Sequence, residues 1–444
     1  MRKIVIVGNG ISGITAARHI RKLSDDEILI VSSETEYFFS RTALMYIYMG
    51  HMKFEHTKPY EDFFWGKNKI DLLQDYVNKI DFEGKSLSTR KSGEIQYDKL
   101  ILAVGSKPNK FGWPGQDLEG VQGLYSYQDL KTMEALSSTT KHAVIVGGGL
   151  IGIEMGEMFH SRGIEVTFLV RESDFWNNVL PPEEAAMVSR HIKSRGFNLI
   201  LESELERIND DGNGRVGSVK TKEGKTIECQ FVGLTVGVSP NVDFLMNSFL
   251  DIKRGIKVNE FFETNMPNVY AIGDCAEFET APASDRKNIE QVWYTGRMHG
   301  ETLAQTICGN KTAYKPGMWF NSAKFLDIEY QVYGQVGNQP MDEEEHIYWE
   351  HPKGEKSIRL IFNESDGTLK GINLMGIRYR HEVVEKMIRD KWDKKKVMSK
   401  LKHANFDPEF FERYEEELIK IYNERYPDDK VKSSKSKIFG IFNL

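Results

Sequence analysis

A unit of strand, glycine turn, helix and strand occurs twice in this chain, and that repetition restricts the fold more than any other feature. Lys3–Val7 is a continuous apolar run of the kind buried on both faces of a parallel sheet. Gly8-Asn9-Gly10-Ile11-Ser12-Gly13 follows, then a helical stretch over 14–23 and a second strand over 27–31. The same order returns as His142–Val146, Gly147-Gly148-Gly149-Leu150-Ile151-Gly152, a helix over 153–162 and a strand over 165–170. Gly8, Gly10 and Gly13 supply a tight turn, an open approach and close helix–strand packing, and the helix N-terminus adds partial positive charge. Gly147, Gly149 and Gly152 repeat the pattern. Together these features suit the pyrophosphate of a dinucleotide. Two such sites on one chain predict electron transfer between two dinucleotides; the alternative is a duplicated fold with one dead site.

The 444 residues are too many for one ordinary core, so roughly two to four domains are expected. With 40% hydrophobic and 28% charged residues, the composition is that of a soluble globular protein. A net charge of −6 argues against nucleic acid as a partner. No apolar run approaches the ~20 residues that cross a bilayer. The basic pair Arg2-Lys3 and its apolar run stop at Gly8, too soon for an export signal, so an opening strand is the better reading. Cys229, Cys275 and Cys308 are far apart with no C-x-x-C pair, which disfavours a disulfide framework and a zinc knuckle. That usage fits a reducing, cytoplasmic compartment.

Between the repeats, Leu100-Ile101-Leu102-Ala103-Val104-Gly105-Ser106 reads as an apolar strand ending in a glycine turn, and 231–237 is a near copy ending in Gly237. A short strand over 268–274 closes with Gly273-Asp274. After about residue 312 the pattern becomes antiparallel, with strands over 319–334, 357–362 and 369–374. After about 376 it becomes helical. Val384, Met387 and Ile388 carry the spacing, as do Phe410, Phe411, Tyr414, Leu418 and Tyr422, with Asp407-Pro408 as a helix start. Residues 390–402 alternate in sign, as a solvated helix face does. The Lys-rich tail over 430–444 has three readings: a disordered end, an element docking on a neighbour, or a peripheral membrane contact.

Gly8–Gly13, Ala103–Gly105, Gly147–Gly152 with Glu154, and the stretch 264–276 together resemble the pyridine nucleotide-disulfide reductase superfamily of two-dinucleotide flavoproteins. That superfamily includes NADH oxidases, rubredoxin and ferredoxin reductases and apoptosis-inducing-factor-like proteins. The resemblance covers residues 1 to about 335 and implies an α/β fold. Two Rossmann-like three-layer domains are expected: FAD-binding over 1–112 and 243–312, NAD(P)H-binding over 113–242. An α+β interface domain over 313–375 and a helical extension over 376–444 complete the expectation. The resemblance also implies FAD at Gly8, Gly10, Ile11, Ser12 and Gly13, with NADH or NADPH at Gly147, Gly149, Leu150, Ile151 and Gly152. Asp274, after Gly273, matches an aspartate that hydrogen-bonds the ribityl chain. Arg41 matches an arginine near the FAD phosphates, and Glu154 a carboxylate beside the nicotinamide. Val77, Ala103, Gly105 and Gly237 complete the implied cofactor-binding set. The helix from about Gln291 would aim its N-terminal dipole at the flavin.

Three departures qualify what the resemblance implies. The disulfide reductases carry C-x-x-x-x-C after the first unit, whereas this chain reads Phe39-Ser40-Arg41-Thr42-Ala43-Leu44, with Thr42 about where single-cysteine relatives place their thiol. A hydroxyl forms neither a thiolate nor a sulfenic acid, so electrons must leave directly from the flavin. The ribose acid is expected at Glu34 with Ser33 assisting. In the second unit Val170 occupies the usual acid position, Arg171 suits NADPH and Glu172 suits NADH, leaving the nucleotide open. Cys275, His299 and Met298 are read as packing residues or, for the last two, surface residues.

The first expectation is therefore an FAD-dependent NAD(P)H oxidoreductase that passes electrons to a carrier protein, a quinone or dioxygen. A second is a redox-responsive interaction protein using a flavin–NAD charge-transfer state. A third is a peripheral NADH:quinone oxidoreductase. A homodimer or larger homo-oligomer is expected from the resemblance.

Overall fold

The structure is a computed structural model in which residues 1–407, 410 and 412–432 are described. The expected helix start at Pro408, the spacing residue Phe411 and the tail from 433 lie outside them. The chain divides into two compact units, Met1–Arg171 with Glu202–Gly317, and Glu172–Leu201 with Met318–Leu444.

The first unit contains both repeated elements. A five-stranded sheet has the order Val269–Ala271, Lys99–Leu102, Lys3–Val7, Glu27–Ser32, Ile70–Gln74. All its neighbours run parallel. Ile4, Val5 and Ile6 are wholly buried, which is why this strand reads as an unbroken apolar run. A second parallel array joins Glu165–Leu169, His142–Val146, Phe231–Leu234 and Val121–Gln122. Short antiparallel meanders accompany the two arrays, over Val77–Asp81, Ser86–Thr89 and Glu94–Gln96, and over Leu205–Asp210, Val216–Thr221 and Thr226–Glu228.

Both glycine-turn helices begin earlier than their apolar periodicity suggests, at Ile11–Leu23 and Leu150–Ser161. Glycine residues that look like loop in the sequence already have helical backbone here. A third helix, Trp293–Ile307, lies along the first. A Cβ on Gly300 would sit 2.6 Å from the Ser12 carbonyl, so only glycine allows this approach.

The second unit is an antiparallel five-stranded sheet ordered Phe320–Phe325, Ile328–Gly334, Leu369–Met375, Ser357–Asn363, Glu344–Glu350. The sequence pattern missed Glu344–Glu350, whose charged residues hide the alternation. Pro182–Ser194, His381–Arg389, Lys394–Lys400 and Glu415–Arg425 are its helices. The last begins at Glu415, with Tyr414 at its N-cap position and Phe410 before it. The sheet buries Arg359, which is 2% exposed, against the wholly buried Glu184. Its Nε and Nη2 donate to the two Glu184 oxygens at 2.8 Å each, and Nη2 also donates to Glu183 at 2.6 Å.

Candidate functional site

The candidate site lies in the first unit, at the carboxyl ends of the parallel strands. Gly8 has φ +113, and a Cβ there would stand 2.1 Å from the Ala103 carbonyl. A Cβ on Gly13 would stand 2.1 Å from the Gly8 carbonyl. These two glycines are required by the chain itself. Gly10 differs: its φ is −70, and a Cβ would meet nothing within 4 Å. No side chain caps the helix at Gly10. An open cradle at an uncapped helix N-terminus fits a dinucleotide pyrophosphate.

The second turn is built alike. Gly147 has φ +116, its Cβ position lying 2.6 Å from the Thr235 carbonyl, and a Cβ on Gly152 would stand 2.9 Å from the Gly147 carbonyl. Gly149 caps Leu150–Ser161 without a side-chain bond, and Leu150 and Ile151 are half-buried in the first turn.

Glu34 lies just past Glu27–Ser32, with Ser33 exposed beside it. Its carboxylate accepts from Arg41 Nη1 at 2.8 Å and Nη2 at 2.5 Å, and from the Tyr127 amide at 2.8 Å. A carboxylate has about four acceptor directions, so room remains for about one hydroxyl donor. Arg41 also donates to the Tyr125 carbonyl and lies 4.5 Å over the Tyr125 ring. Thr42 is exposed, its hydroxyl 3.1 Å from Ser40 Oγ. Val77 is buried at the start of its meander strand, and Ala103 is buried after Lys99–Leu102. Gly105 and Gly237 both have positive φ, at +68 and +89.

Gly273 has φ +73 and opens the turn that presents Asp274. Asp274 Oδ2 accepts from Ser106 Oγ at 3.0 Å and Tyr125 OH at 3.3 Å, leaving Oδ1 for a ligand hydroxyl. Burial pushes this carboxyl up, against the opposing pull of Ser106, Tyr125 and Arg41. Gln291 Nε2 donates to Ser106 Oγ at 2.7 Å, ahead of the helix that starts at Trp293. Arg41, Glu34, Tyr125, Ser106 and Asp274 therefore form one connected set. Tyr125 and Tyr127 were missed as candidate site residues because no local motif marks them, and Ser106 was read only as the end of its glycine turn; the fold brings Ser106 and Tyr125 to Asp274 and the Tyr127 amide to Glu34.

Glu154 stands in the second turn of Leu150–Ser161, half-buried and without a hydrogen-bond partner among the described residues. Burial, and then the charge of Glu157, push its carboxyl up to about 7. Val170 is wholly buried at the strand end, Arg171 is exposed, and Glu172 belongs to the second compact unit. Cys229 and Cys275 are wholly buried, and burial pushes both thiols up to about 12. Burial also raises the half-buried Cys308. Three-residue groups able to hold a metal are absent among the described residues.

Residues 2–300 match the model of the pyridine nucleotide-disulphide oxidoreductase family. The chain belongs to that family. With the family come FAD, NADH or NADPH, and an oxidoreductase chemistry. Within this family the chain is 30% identical to rubredoxin-NAD(+) reductase of Acinetobacter baylyi, covering 85% of this chain and 94% of that protein. It is 28% identical to nitrite reductase [NAD(P)H] of Bacillus subtilis over 84% of this chain. It spans 44% of that enzyme and 50% of the B. subtilis assimilatory nitrate reductase electron transfer subunit, about half their lengths. The solved NAD-dependent persulfide reductase from A. fulgidus shares the fold with a TM-score of 0.82 at 21% identity, covering 96% of this chain and 84% of that one. No described helix is long and apolar enough to cross a membrane.

Proposed function

We propose that this chain takes hydride from NADH or NADPH onto FAD and delivers the electrons directly from the flavin to a small one-electron carrier protein. The observation that carries the direct route is the set of thiols. The resemblance puts Thr42 about where single-cysteine relatives place their thiol, and the buried Cys229 and Cys275 thiols are pushed up to about 12, far from any thiolate at neutral pH. The carrier class is supported by the likeness to rubredoxin-NAD(+) reductase along 94% of its length. FAD, when bound, accepts a hydride and can release its two electrons one at a time. The chain's own task is to bind and orient. The Gly8–Gly13 turn cradles a pyrophosphate, Glu34 keeps an acceptor for a ribose hydroxyl, and Asp274 Oδ1 keeps one for the ribityl chain.

Glu154 supplies charge to the hydride step. Loss of hydride leaves positive charge on the nicotinamide ring, which an ionised carboxylate favours and a neutral carboxyl does not. With its carboxyl raised to about 7, Glu154 is protonated below that pH and ionised above it. Flavin bleaching by NAD(P)H should therefore accelerate as pH rises through about 7. Glu154→Gln should hold the slow, acidic-side rate at every pH. A variant that keeps the wild-type inflection removes Glu154 from this role. The linked stability has the opposite sense: the raised carboxyl stabilises the fold at acidic pH, and that contribution is lost as pH climbs through about 7.

The test of the whole reading is anaerobic stopped-flow reduction of the FAD-loaded protein, followed by rubredoxin or ferredoxin as oxidant. Rapid bleaching by one nucleotide, then single-electron reoxidation by the carrier, is the expected result. Bleaching without any carrier reactivity would overturn the acceptor; no bleaching by either nucleotide would overturn the hydride step.

A further inference from the structure

His299 is wholly buried inside Trp293–Ile307, where the sequence pattern suggested only packing or surface. Its Nδ1 accepts the Gly273 amide at 3.1 Å. An accepting Nδ1 carries no proton, so the ring is the neutral tautomer with its N–H on Nε2. That nitrogen lies 3.5 Å from Glu290 Oε2, without a hydrogen bond between them. Glu290 is 4% exposed and is itself held by Arg286 Nη1 at 2.9 Å and Tyr314 OH at 3.0 Å. The rings of Tyr314, Phe262 and Phe278 enclose the imidazole at 4.6, 4.9 and 5.5 Å between centroids. The imidazole is thus fixed on all sides. Its one strong directional bond goes to the residue before Asp274.

We propose that His299 is a positioning residue, which through the Gly273 amide sets the turn that presents the Asp274 carboxylate to FAD. The backbone makes this support necessary. Gly273 is at φ +73, and its Cβ position lies 2.3 Å from Ser12 Oγ, so the turn is pressed between two helices and one amide must be satisfied in a dry place. A buried amide left without an acceptor would drive the turn to a different conformation. Glu290 and Arg286 act one step further back: the carboxylate lies beside the imidazole edge, and the arginine neutralises the carboxylate.

The proposal rests on the reading of Asp274 as a cofactor-holding residue, and the test separates the two. FAD dissociation is followed by flavin fluorescence on dilution of the holoprotein, for wild type, Asp274→Ala, His299→Leu, His299→Asn and the Asp274→Ala/His299→Leu pair. Loss of one buried hydrogen bond predicts FAD binding weaker by about tenfold in Asp274→Ala and in His299→Leu. Asparagine places an acceptor where Nδ1 stands, so His299→Asn should stay within about threefold of wild type. Because His299 acts through Asp274, the pair should bind no more than about threefold weaker than Asp274→Ala alone. A purely structural role predicts multiplied losses in the pair and no rescue by asparagine; either result overturns the proposal. Wild-type affinity in His299→Leu alongside a weakened Asp274→Ala overturns it too, and leaves Asp274 standing. An unchanged Asp274→Ala removes the cofactor role of Asp274 and the proposal with it. If His299→Leu does not fold by circular dichroism, His299→Gln, whose amide reaches the Nε2 position instead, replaces it in the cycle.

Discussion

Gly10→Val should yield a folded protein that is purified colourless. At φ −70, and with no atom within 4 Å of its Cβ position, nothing in the chain forbids a side chain at Gly10. Its melting temperature without flavin should therefore match that of wild type stripped of flavin. A pyrophosphate lying on the helix N-terminus would instead meet the new methyl groups. Forcing such atoms into a packed contact costs about 1–3 kcal/mol, or roughly 10–100-fold in affinity. Gly8→Ala is the contrasting variant. Its Cβ would stand 2.1 Å from the Ala103 carbonyl at φ +113, so the chain itself should be destabilised with or without flavin. Absorbance near the flavin band and a thermal melt on each protein separate the two. If Gly10→Val retains a full complement of flavin, the first glycine turn does not hold the pyrophosphate.

Arg359→Leu should cost the second unit about 3–5 kcal/mol, because it leaves the wholly buried Glu184 without its cation. Adding Glu184→Leu should recover part of that loss, since the buried charge is gone while the buried Asn373 Nδ2, which donates to Glu184 Oε1 at 3.2 Å, loses that acceptor. Chemical denaturation of the three proteins measures both steps. A double variant as unstable as the single one would mean that packing around Arg359, rather than its charge, sets the stability.

How legible these features are in the sequence follows from how local their causes are. Gly13 and Gly152 are fixed by the carbonyls of Gly8 and Gly147 within their own turns, and the spacing of each glycine turn marks Gly8 and Gly147 to a reader of the sequence, although the carbonyls that exclude a side chain there belong to the distant Ala103 and Thr235. Asp274 is legible because Gly273-Asp274 ends a short apolar strand. Tyr125 and His299 are not legible, because each matters only through a partner more than 20 positions away: Tyr125 OH on Asp274, His299 on the Gly273 amide. Neither sits in a periodic or glycine-marked stretch that would single it out. The spacing over 410–422 takes in one residue too many for a related reason: Phe410 has the right interval, yet it is 79% exposed and lies before the helix that begins at Glu415.

The state of the three cysteines carries a consequence for how such a protein ages. A catalyst that handles reducing equivalents meets peroxide, and a low-pKa thiol beside a flavin is the usual first casualty. Here the two fully buried thiols are pushed up to about 12 and the third is raised as well, so none presents a ready target for sulfenylation or alkylation. Damage would fall first on other groups, the exposed Met246 and Met341 among them. A preparation inactivated by oxidant should thus be repairable by sulfoxide reduction rather than by thiols.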